Sequence, residues 1–537
     1  MPARPNSPGP AHASPDRTRP RRPSVVDELG LTKSLPAGPG DFRTLCGSGP
    51  DALLLGLGPE PERLPELFAD VRNARFMECP ELAAQLGPDW RGRIPAGFAE
   101  AAPEDLAALA RSGARLILYT PGQRLFPSFW GPLLARVQMA LLASISSPAS
   151  GPASGPRQRL AWLPGGEGDL LRIELREALE ALGFTVRLTG ASGMEDFRAW
   201  LAAGDCPQLF LSVNFSGLDP LGEAFHLLQA AGARVAVWCV DTPLHQLSGL
   251  KSRFWTTLPL FVTDAWAADA LKDMGATQAA YLPLAARARD LESAPRLPAP
   301  VWAELAERLV FVGRSAFPGK EGFFAGCSLP AATGDDAWTE AQAMLDQGQR
   351  PGFDWWLKRL KIDRLWPGAE VRRAGFCAEE TGRAWRTLCL RRAHEDLGRV
   401  TVFGDADWRE LLPELTDLRG FVDYYTALPD IAASAGASLN LTNPLLPRGL
   451  TQRVFDTWAW GGLLLSDATP ALDLFPAELT QEITFRAPRD LAGRFRALTA
   501  SPALAVDLKT VWRAELKRAH TYGHRVAVVL ERLGLAG

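Results

Sequence analysis

Short apolar runs recur along this chain, and most are followed by a glycine or a polar residue and then by an amphipathic helical pattern. Such runs are typical of parallel strands, because helices cover both faces of a parallel sheet. The predicted strands are 52–55, 74–77 and 114–119, then 160–163, 185–188, 209–213, 235–240 and 260–263, and finally 309–312, 400–403, 437–441 and 463–466. Their alternation with helices predicts an α/β fold, with two Rossmann-like doubly wound domains facing a cleft and an extra N-terminal α/β module.

Composition shifts between these runs predict where the domains begin and end. The predicted order is a disordered Pro/Ala/Ser/Arg-rich tail at 1–40, the N-terminal module at 41–143, a Ser/Pro/Gly linker at 144–157, the two large domains at 158–300 and 301–505, and a C-terminal helix at 506–537. Within the second large domain, residues 321–349 contain glycines and acidic residues but no periodic apolar pattern. We therefore expect an insertion there without a clear core of its own.

The overall composition excludes several classes of protein. A hydrophobic content of 47% and a charged content of 22% over 537 residues are ordinary for a globular protein, and a net charge of −3 gives no reason to expect nucleic acid as a partner. No apolar run reaches the length of a transmembrane helix. The seven cysteines form no C-x-x-C pair, which argues against a disulfide framework or a zinc site and favours the cytoplasm.

The most informative segment of the chain runs from 440 to 475. Gly449 precedes a predicted helix, Gly461 and Gly462 end it, and an apolar strand follows. If the helix extends back to Arg448, then Arg448, Gln452 and Asp456 share one of its faces. The amino terminus of a helix favours a phosphate, and a carboxylate can accept hydrogen bonds from ribose hydroxyls. This pattern therefore predicts a site for a phosphorylated sugar donor.

The same segment resembles the donor-binding half of GT-B glycosyltransferases, and most closely the CgeB-like (spore-protein-like) family. The resemblance covers less than a tenth of the 537 residues and is carried by Gly449, Thr451, Arg453-Val454-Phe455-Asp456, Gly461-Gly462 and Ser466-Asp467. It implies a GT-B-like fold and a ribose-binding role for Asp456. Retaining members carry a second glutamate where this chain has Arg448, so their glutamate pair is incomplete here.

Two further regions carry the resemblance. Segments 237–243, 261–264 and 281–285 are similar to the amino-terminal half of CgeB-like proteins. Gly313-Arg314, with Lys320 downstream, resembles the loop that GT-B enzymes direct at the donor diphosphate, where an arginine and a lysine neutralise its charge. The predicted donor-binding residues are Gly313, Arg314, Lys320, Arg448, Gly449, Thr451, Arg453 and Asp456.

Candidates for the chemical step are fewer. Asp241 and His245 follow one predicted strand, and either could remove a proton from an acceptor hydroxyl, whereas Asp241 could instead cap the next helix. The resemblance implies that cations and a helix dipole stabilise the leaving diphosphate, so we expect no metal and no cofactor beyond the nucleotide-sugar substrate. Gly56-x-Gly58 starts a dinucleotide-binding motif, but Pro61 stands at the third glycine position.

The sequence therefore predicts a cytoplasmic, hexosyltransferase-like glycosyltransferase. It would move a sugar from a nucleotide-sugar donor to an unidentified glycan, lipid or protein acceptor. Two alternatives stay open: a sugar-nucleotide epimerase on the same architecture, and a catalytically silent binding or scaffold protein, since a fold alone does not establish chemistry.

Overall fold

The computed structural model describes residues 22–145, 159–166, 168–190 and 193–536, and the chain divides into two compact units after Leu133. Residues 1–21 of the predicted tail and 146–157 of the predicted linker lie outside the described residues. None of the helices in the described ranges combines the length and apolar character needed to cross a membrane.

The first unit is built on a five-stranded sheet. The strands of this unit are β1 Ser24–Val26 and β2 Thr32–Ser34, which form a separate pair, and β3 Phe42–Cys46, β4 Asp51–Leu55, β5 Asn73–Met77, β6 Phe98–Glu100 and β7 Arg115–Tyr119, which form the sheet. The helices from here to the unit boundary are α1 Leu64–Leu67, α2 Pro80–Gly92, α3 Leu106–Arg111, α4 Thr120–Leu125 and α5 Pro127–Ile145, which continues past Leu133. The sheet order is β3-β7-β4-β5-β6, with β3 antiparallel to β7 and the remaining pairs parallel.

Residues 24–34, which the sequence assigns to a disordered tail, form an antiparallel ribbon of β1 and β2. Gln85 of α2 caps the edge of this ribbon: its Oε1 accepts from the Val26 amide at 2.7 Å, and its Nε2 donates to the Val26 carbonyl at 2.9 Å. Apolar periodicity does not predict this ribbon, because the backbone hydrogen bonds at its edge are made with Gln85, a side chain distant in the sequence.

The second unit contains two separate six-stranded parallel sheets. The first has β8 Leu160–Pro164, β9 Thr185–Gly190, β10 Leu209–Val213, β11 Arg234–Cys239, β12 Leu260–Val262 and β13 Ala279–Tyr281, in the order β13-β12-β11-β10-β8-β9. Its helices are α6 Arg172–Ala181, α7 Met194–Ala202, α8 Glu223–Ala230, α9 Pro243–Leu247, α10 Ala265–Asp273 and α11 Ala288–Glu292. We call this the acceptor-side domain, after the role expected for it from the sequence.

The second sheet has β14 Leu309–Val312, β15 Val400–Phe403, β16 Leu418–Arg419, β17 Ala437–Asn440, β18 Leu464–Asp467 and β19 Thr484–Phe485, in the order β16-β15-β14-β17-β18-β19. The helices from β14 onward are α12 Lys320–Phe323, α13 Ala337–Asp346, α14 Phe353–Arg359, α15 Glu370–Leu397, α16 Trp408–Leu411, α17 Ala427–Ser434, α18 Arg453–Ala459, α19 Ala477–Ile483, α20 Leu491–Ala500, α21 Pro502–Ala519 and α22 Tyr522–Arg532. We call this the donor-side domain, after the role that the resemblance of residues 440–475 implies. The predicted fold class, α/β with two Rossmann-like parallel-sheet domains and an additional N-terminal α/β module, is confirmed.

The C-terminal helix α22 joins the two large domains. Its apolar residues Val526, Val529 and Leu530 share a buried core with Leu175 and Leu179 of α6. The chain enters α22 through backbone pairing, since the Ala286 amide donates to the His520 carbonyl at 2.8 Å. The helix therefore returns from the donor-side domain to pack on the acceptor-side domain.

Candidate functional site

The two sheets of the second unit each contain a point where the strand order reverses. In the donor-side domain this switch lies between β14 and β17, so the loops that follow these strands diverge and leave a crevice. A cavity of about 600 Å³ occupies this position. Its lining includes residues from both loops and from the segment after β16, namely Gly313, Arg314, Phe421, Asp423, Tyr424, Tyr425, Thr451, Gln452, Arg453 and Asp456, together with Arg386 of α15.

The first loop places a glycine and an arginine at the cavity. The Gly313 amide donates to the Phe403 carbonyl at 2.9 Å, which continues the sheet by one residue. A Cβ at Gly313 would come within 2.8 Å of the Phe311 ring and 3.5 Å of Arg453 Nη2, so glycine keeps this wall open. Arg314 is exposed, with its guanidinium 5.7 Å from the centre of the Phe421 ring.

The second loop is fastened to the first through Arg453. Arg453 Nη2 donates to the Val312 carbonyl, and Nη1 donates to Asn440 Oδ1 at 3.2 Å. Asn440 Oδ1 also accepts from Thr451 Oγ1 at 2.5 Å. Burial, followed by the charge of Arg386, lowers the pKa of Arg453 to about 10. Arg453 therefore remains a cation at neutral pH and fixes the distance between the loops.

Asp456 forms the buried end of the cavity. Its Oδ1 accepts from Gln452 Nε2 at 2.8 Å, and its Oδ2 accepts from the Tyr424 hydroxyl. Burial raises its pKa well above the usual value, and these hydrogen bonds offset the rise in part. Gln452 also donates to the Ala285 carbonyl at 2.8 Å and accepts from Tyr522 at 2.6 Å. The carboxyl group is therefore connected to the acceptor-side domain and to α22.

The structure does not bring Arg448 and Gly449 into this cavity. Helix α18 begins at Arg453, so Arg448, Gln452 and Asp456 do not share one helical face. The Arg448 side chain is exposed, and its amide donates to Asp264 Oδ2 at 2.6 Å. Gly449 forms an isolated antiparallel bridge with Asp264. These two residues join the two large domains rather than line the cavity.

Lys320 also lies away from the cavity. Its ammonium group forms an ion pair with Glu380 of α15 and lies 5.7 Å from the Phe376 ring. The side chain is buried and does not line the cavity that contains Arg314. The sequence places Lys320 near Arg314, but the α15 carboxylate binds the ammonium group.

The two candidate bases are separated in space. Asp241 is exposed, accepts from Asn214 Nδ2 at 2.8 Å and lines a cavity of about 350 Å³ at the switch between β8 and β10. His245 instead packs among Phe323, Phe324 and Phe353, with ring centres 4.9–5.6 Å apart. Burial, with a smaller effect of Arg372, lowers its pKa to about 3. His245 is half-buried and lines neither of the two cavities, so it lies apart from Asp241.

Sequence reasoning missed the residues that tertiary packing brings to these cavities. Tyr424 and Tyr425 follow a strand of only two residues, and the Tyr425 hydroxyl contacts Glu174 Oε2 of α6 at 3.2 Å. Asp169 lines the acceptor-side cavity, and its Oδ2 accepts from the Gly166 amide at 2.6 Å. The aromatic run from Phe421 to Tyr425 was the available signal. Within the described ranges, no three His, Cys, Asp or Glu side chains cluster as a metal site.

Solved structures and a family model resemble this chain, whereas no curated protein matches it. A glycosyltransferase from Rickettsia africae is 9% identical, with a TM-score of 0.41, over 70% of this chain and 98% of that chain. Anabaena Alr3699/HepE in complex with UDP and glucose is 10% identical, with a TM-score of 0.39, over 70% of this chain and 100% of its own. T4 phage BGT in complex with UDP-glucose is 12% identical, with a TM-score of 0.35, over 70% and 97%. Residues 383–531, which contain the second loop and Asp456, match the family model described as Glycosyl transferase-like.

Proposed function

We propose that this protein is a glycosyltransferase that uses a nucleotide-sugar donor. One observation carries the proposal: the cavity at the switch between β14 and β17 is lined by three arginines and by the hydrogen-bonded pair of Asp456 and Tyr424. Diphosphate and ribose need these two kinds of group, a cluster of cations and a carboxyl–hydroxyl pair. Ligands of open α/β sheets bind at such switch points.

The charges of the cavity favour an anion. Three arginines line it, and the carboxyl groups among its lining residues are Asp423 and Asp456. Asp423 Oδ1 already accepts from the amide and the hydroxyl of Thr426, at 2.9 and 2.6 Å. Asp456 has a raised pKa, so it holds less negative charge than an exposed carboxylate. The aromatic residues after β16 provide flat surfaces for a nucleobase.

The acceptor is proposed to bind at the second cavity, between β8 and β10. Leu170 lines both cavities, so they are adjacent across the cleft. The acceptor oxygen attacks the anomeric carbon, the bond from that carbon to the terminal phosphate oxygen breaks, and the hydroxyl proton passes to a base. Asp241 remains the base proposed from sequence, and Asp169 on the same cavity is a second candidate.

Membership of the CgeB-like family and a cytoplasmic location stay proposals alongside this function. The motif from Gly449 to Asp467 supports the family. All seven cysteines carry free thiols, which favours a reducing compartment. The acceptor is proposed only as a hydroxyl-bearing molecule, either a glycan, a lipid or a protein.

Incubation with UDP-, GDP-, ADP- and dTDP-sugars tests this function. Binding is followed by thermal shift, because a ligand that binds only the folded state raises apparent stability by mass action. A transferase slowly releases free nucleoside diphosphate and sugar by donor hydrolysis. Interconversion of the sugar without release would identify an epimerase instead, and no shift with any donor would favour a scaffold role.

A further inference from the structure

Arg386 lies at the floor of the donor-side cavity and belongs to the long helix α15, inserted between β14 and β15. Its Nη2 donates to the Ser315 carbonyl at 2.7 Å, directly after the Gly313-Arg314 loop. Its exposure is 8%, so its guanidinium is held under the first loop. We propose that Arg386 binds the donor diphosphate, in the place that the sequence assigns to Lys320; this inference rests on the proposed function.

The hydrogen bonds of Arg386 are incomplete. Within the described part of the chain, its buried Nε has no hydrogen-bond partner. The carboxylate of Glu379 approaches Nη2 only to 3.5 Å. A buried guanidinium with an incomplete set of partners is costly, and an anion in the cavity that Arg386 lines would offset its positive charge.

Arg386 and Arg453 also affect each other electrostatically. The charge of Arg386 contributes to the lowered pKa of Arg453, although burial is the larger cause. Both guanidinium groups line one cavity, and both remain charged at neutral pH. Two buried like charges destabilise one another, and among the described residues Glu379 pairs only with Arg386, at 3.5 Å. A diphosphate has the charge and the oxygens to bind both guanidinium groups.

Lys320 and Arg386 both pair with carboxylates of α15, so they form a matched comparison. Lys320 pairs with Glu380 outside the cavity, whereas Arg386 is near Glu379 and lines it. The ion pair of Lys320 satisfies its ammonium group. Glu380 of α15 therefore holds the Lys320 ammonium group outside the cavity, whereas Arg386 of the same helix lines the cavity proposed for the donor.

The test measures the affinity for a nucleoside and for its diphosphate by calorimetry, using whichever nucleotide of the donor panel binds. The double variant Arg386→Gln/Glu379→Gln removes both buried charges. We expect its affinity for the diphosphate to fall about ten- to a hundredfold and its affinity for the nucleoside to stay within twofold. The matched variant Lys320→Gln/Glu380→Gln should change neither affinity by more than about twofold.

The outcomes separate this inference from the proposed function. If the unmodified protein binds none of UDP, GDP, ADP or dTDP, the proposed function fails, and this inference fails with it. If it binds one and the Arg386 double variant binds it equally well, or if only the Lys320 double variant loses diphosphate affinity, the Arg386 role alone is rejected. An equal loss of nucleoside affinity would assign Arg386 a structural role. Should the double variant not fold, Arg386→Lys keeps the charge but not the planar fork, and it should lose at least threefold in diphosphate affinity alone.

Discussion

Two loops that begin with a glycine follow strands in the same topological position, but a side chain fills the space over one loop and the other loop lines a cavity. In the first unit, β4 lies between β5 and β7 and is followed by Gly56; in the donor-side domain, β14 lies between β15 and β17 and is followed by Gly313. The difference lies in the residue at the end of the neighbouring strand. Tyr119 ends β7 and is fully buried, whereas the short amide Asn440 ends β17 beside a cavity of about 600 Å³.

Tyr119 fills the space over its loop. A Cβ at Gly56 would lie 3.0 Å from the Tyr119 Cβ, and one at Gly58 would lie 3.1 Å from its ring. Both glycines have positive φ, at 87° and 70°. They are therefore needed for the backbone conformation and for close packing of a tyrosine, and the Gly56-x-Gly58 motif is explained without a dinucleotide.

The acidic residues near the two loops, Glu78 and Asp456, differ in which groups occupy their oxygens. Glu78 follows β5, and its oxygens accept from the Leu57 and Cys79 amides, both at 2.8 Å. Burial raises its pKa to about 7. Asp456 instead accepts from two side chains, Tyr424 and Gln452, and lines a cavity. A switch point thus offers a crevice, and the side chains around it decide whether a ligand can use it.

The largest expected effect comes from removing Tyr119, the side chain that fills the space over the Gly56 loop. Tyr119→Ala removes a fully buried ring and its hydrogen bond to the Pro36 carbonyl. We expect the free energy of unfolding of the first unit to fall by about 3–5 kcal/mol. Urea titration followed by hydrogen exchange in β4 and β7 measures it. Phe421→Ala, the same kind of truncation at an exposed ring, should stay within about 0.5 kcal/mol. Equal costs for the two variants would remove the contrast between the loops.

Most of the fold follows from local apolar patterns, and its exceptions have physical causes. The central strands of both large sheets were predicted because long apolar runs are required inside a parallel sheet. Edge strands β16 and β19 have two residues each, too few for a pattern. The insertion 321–349 contains α13, whose buried face includes Ala337 and Ala341. Small alanines give a weak apolar signal, although they pack in a real core with Phe353 and Trp356.

The site was predictable only where it depends on neighbours in the sequence. Gly313, Arg314, Thr451, Arg453 and Asp456 lie in two local motifs, and the structure brings them to one cavity. Arg386 arrives through tertiary packing and carries no local signal, whereas Tyr424 belongs to the aromatic run from Phe421 to Tyr425, which alone does not predict its place at the cavity. His245 was predicted as a base because it follows a strand, and Lys320 was predicted from the resemblance to the diphosphate loop. In the structure Phe323, Phe324 and Phe353 pack around His245, and Glu380 pairs with Lys320.

The next prediction compares the nucleotide affinities of variants at Asp456 and Glu78. Asp456→Ala should weaken nucleotide affinity about ten- to a hundredfold, because a hydrogen bond to a charged or polar ligand group contributes roughly 1.5–3 kcal/mol. Glu78→Gln should leave that affinity unchanged, since its oxygens are occupied by backbone amides. Calorimetry with the nucleotide that binds in the donor panel measures both. Unchanged affinity with a lowered melting temperature in Asp456→Ala would make Asp456 purely structural.

A smaller effect concerns His245, a third place where packing has filled space near a strand end. Its pKa is about 3 in the folded protein against an ordinary 6.5, so below pH 6.5 only the unfolded chain binds the proton. This site therefore lowers the free energy of unfolding as the pH falls, by about 1.4 kcal/mol between pH 7.5 and 5.5.

His245→Gln should remove that part of the pH dependence, measured as the difference between variant and unmodified protein in urea titrations at pH 7.5 and 5.5. His226 and His520, whose pKa values burial lowers to about 4, contribute equally to both proteins and cancel. The same pH dependence in both proteins would mean that His245 is accessible to protons, and its candidacy as a base would return.

The smallest expected effect compares two exposed arginines, Arg448 outside the cavity and Arg314 in its lining. Arg448 is exposed, and its contact with Asp264 uses the backbone amide, which Arg448→Ala retains. We expect nucleotide affinity to change less than about twofold, as for most surface substitutions. Arg314→Ala, an exposed arginine that does line the cavity, should lose about 0.5–1.5 kcal/mol in the same titration. The pair is matched in residue type and exposure, so any difference reports position alone. A tenfold loss in Arg448→Ala would mean that the loop before α18 closes over the donor, and that the open cavity extends beyond its lining in this structure.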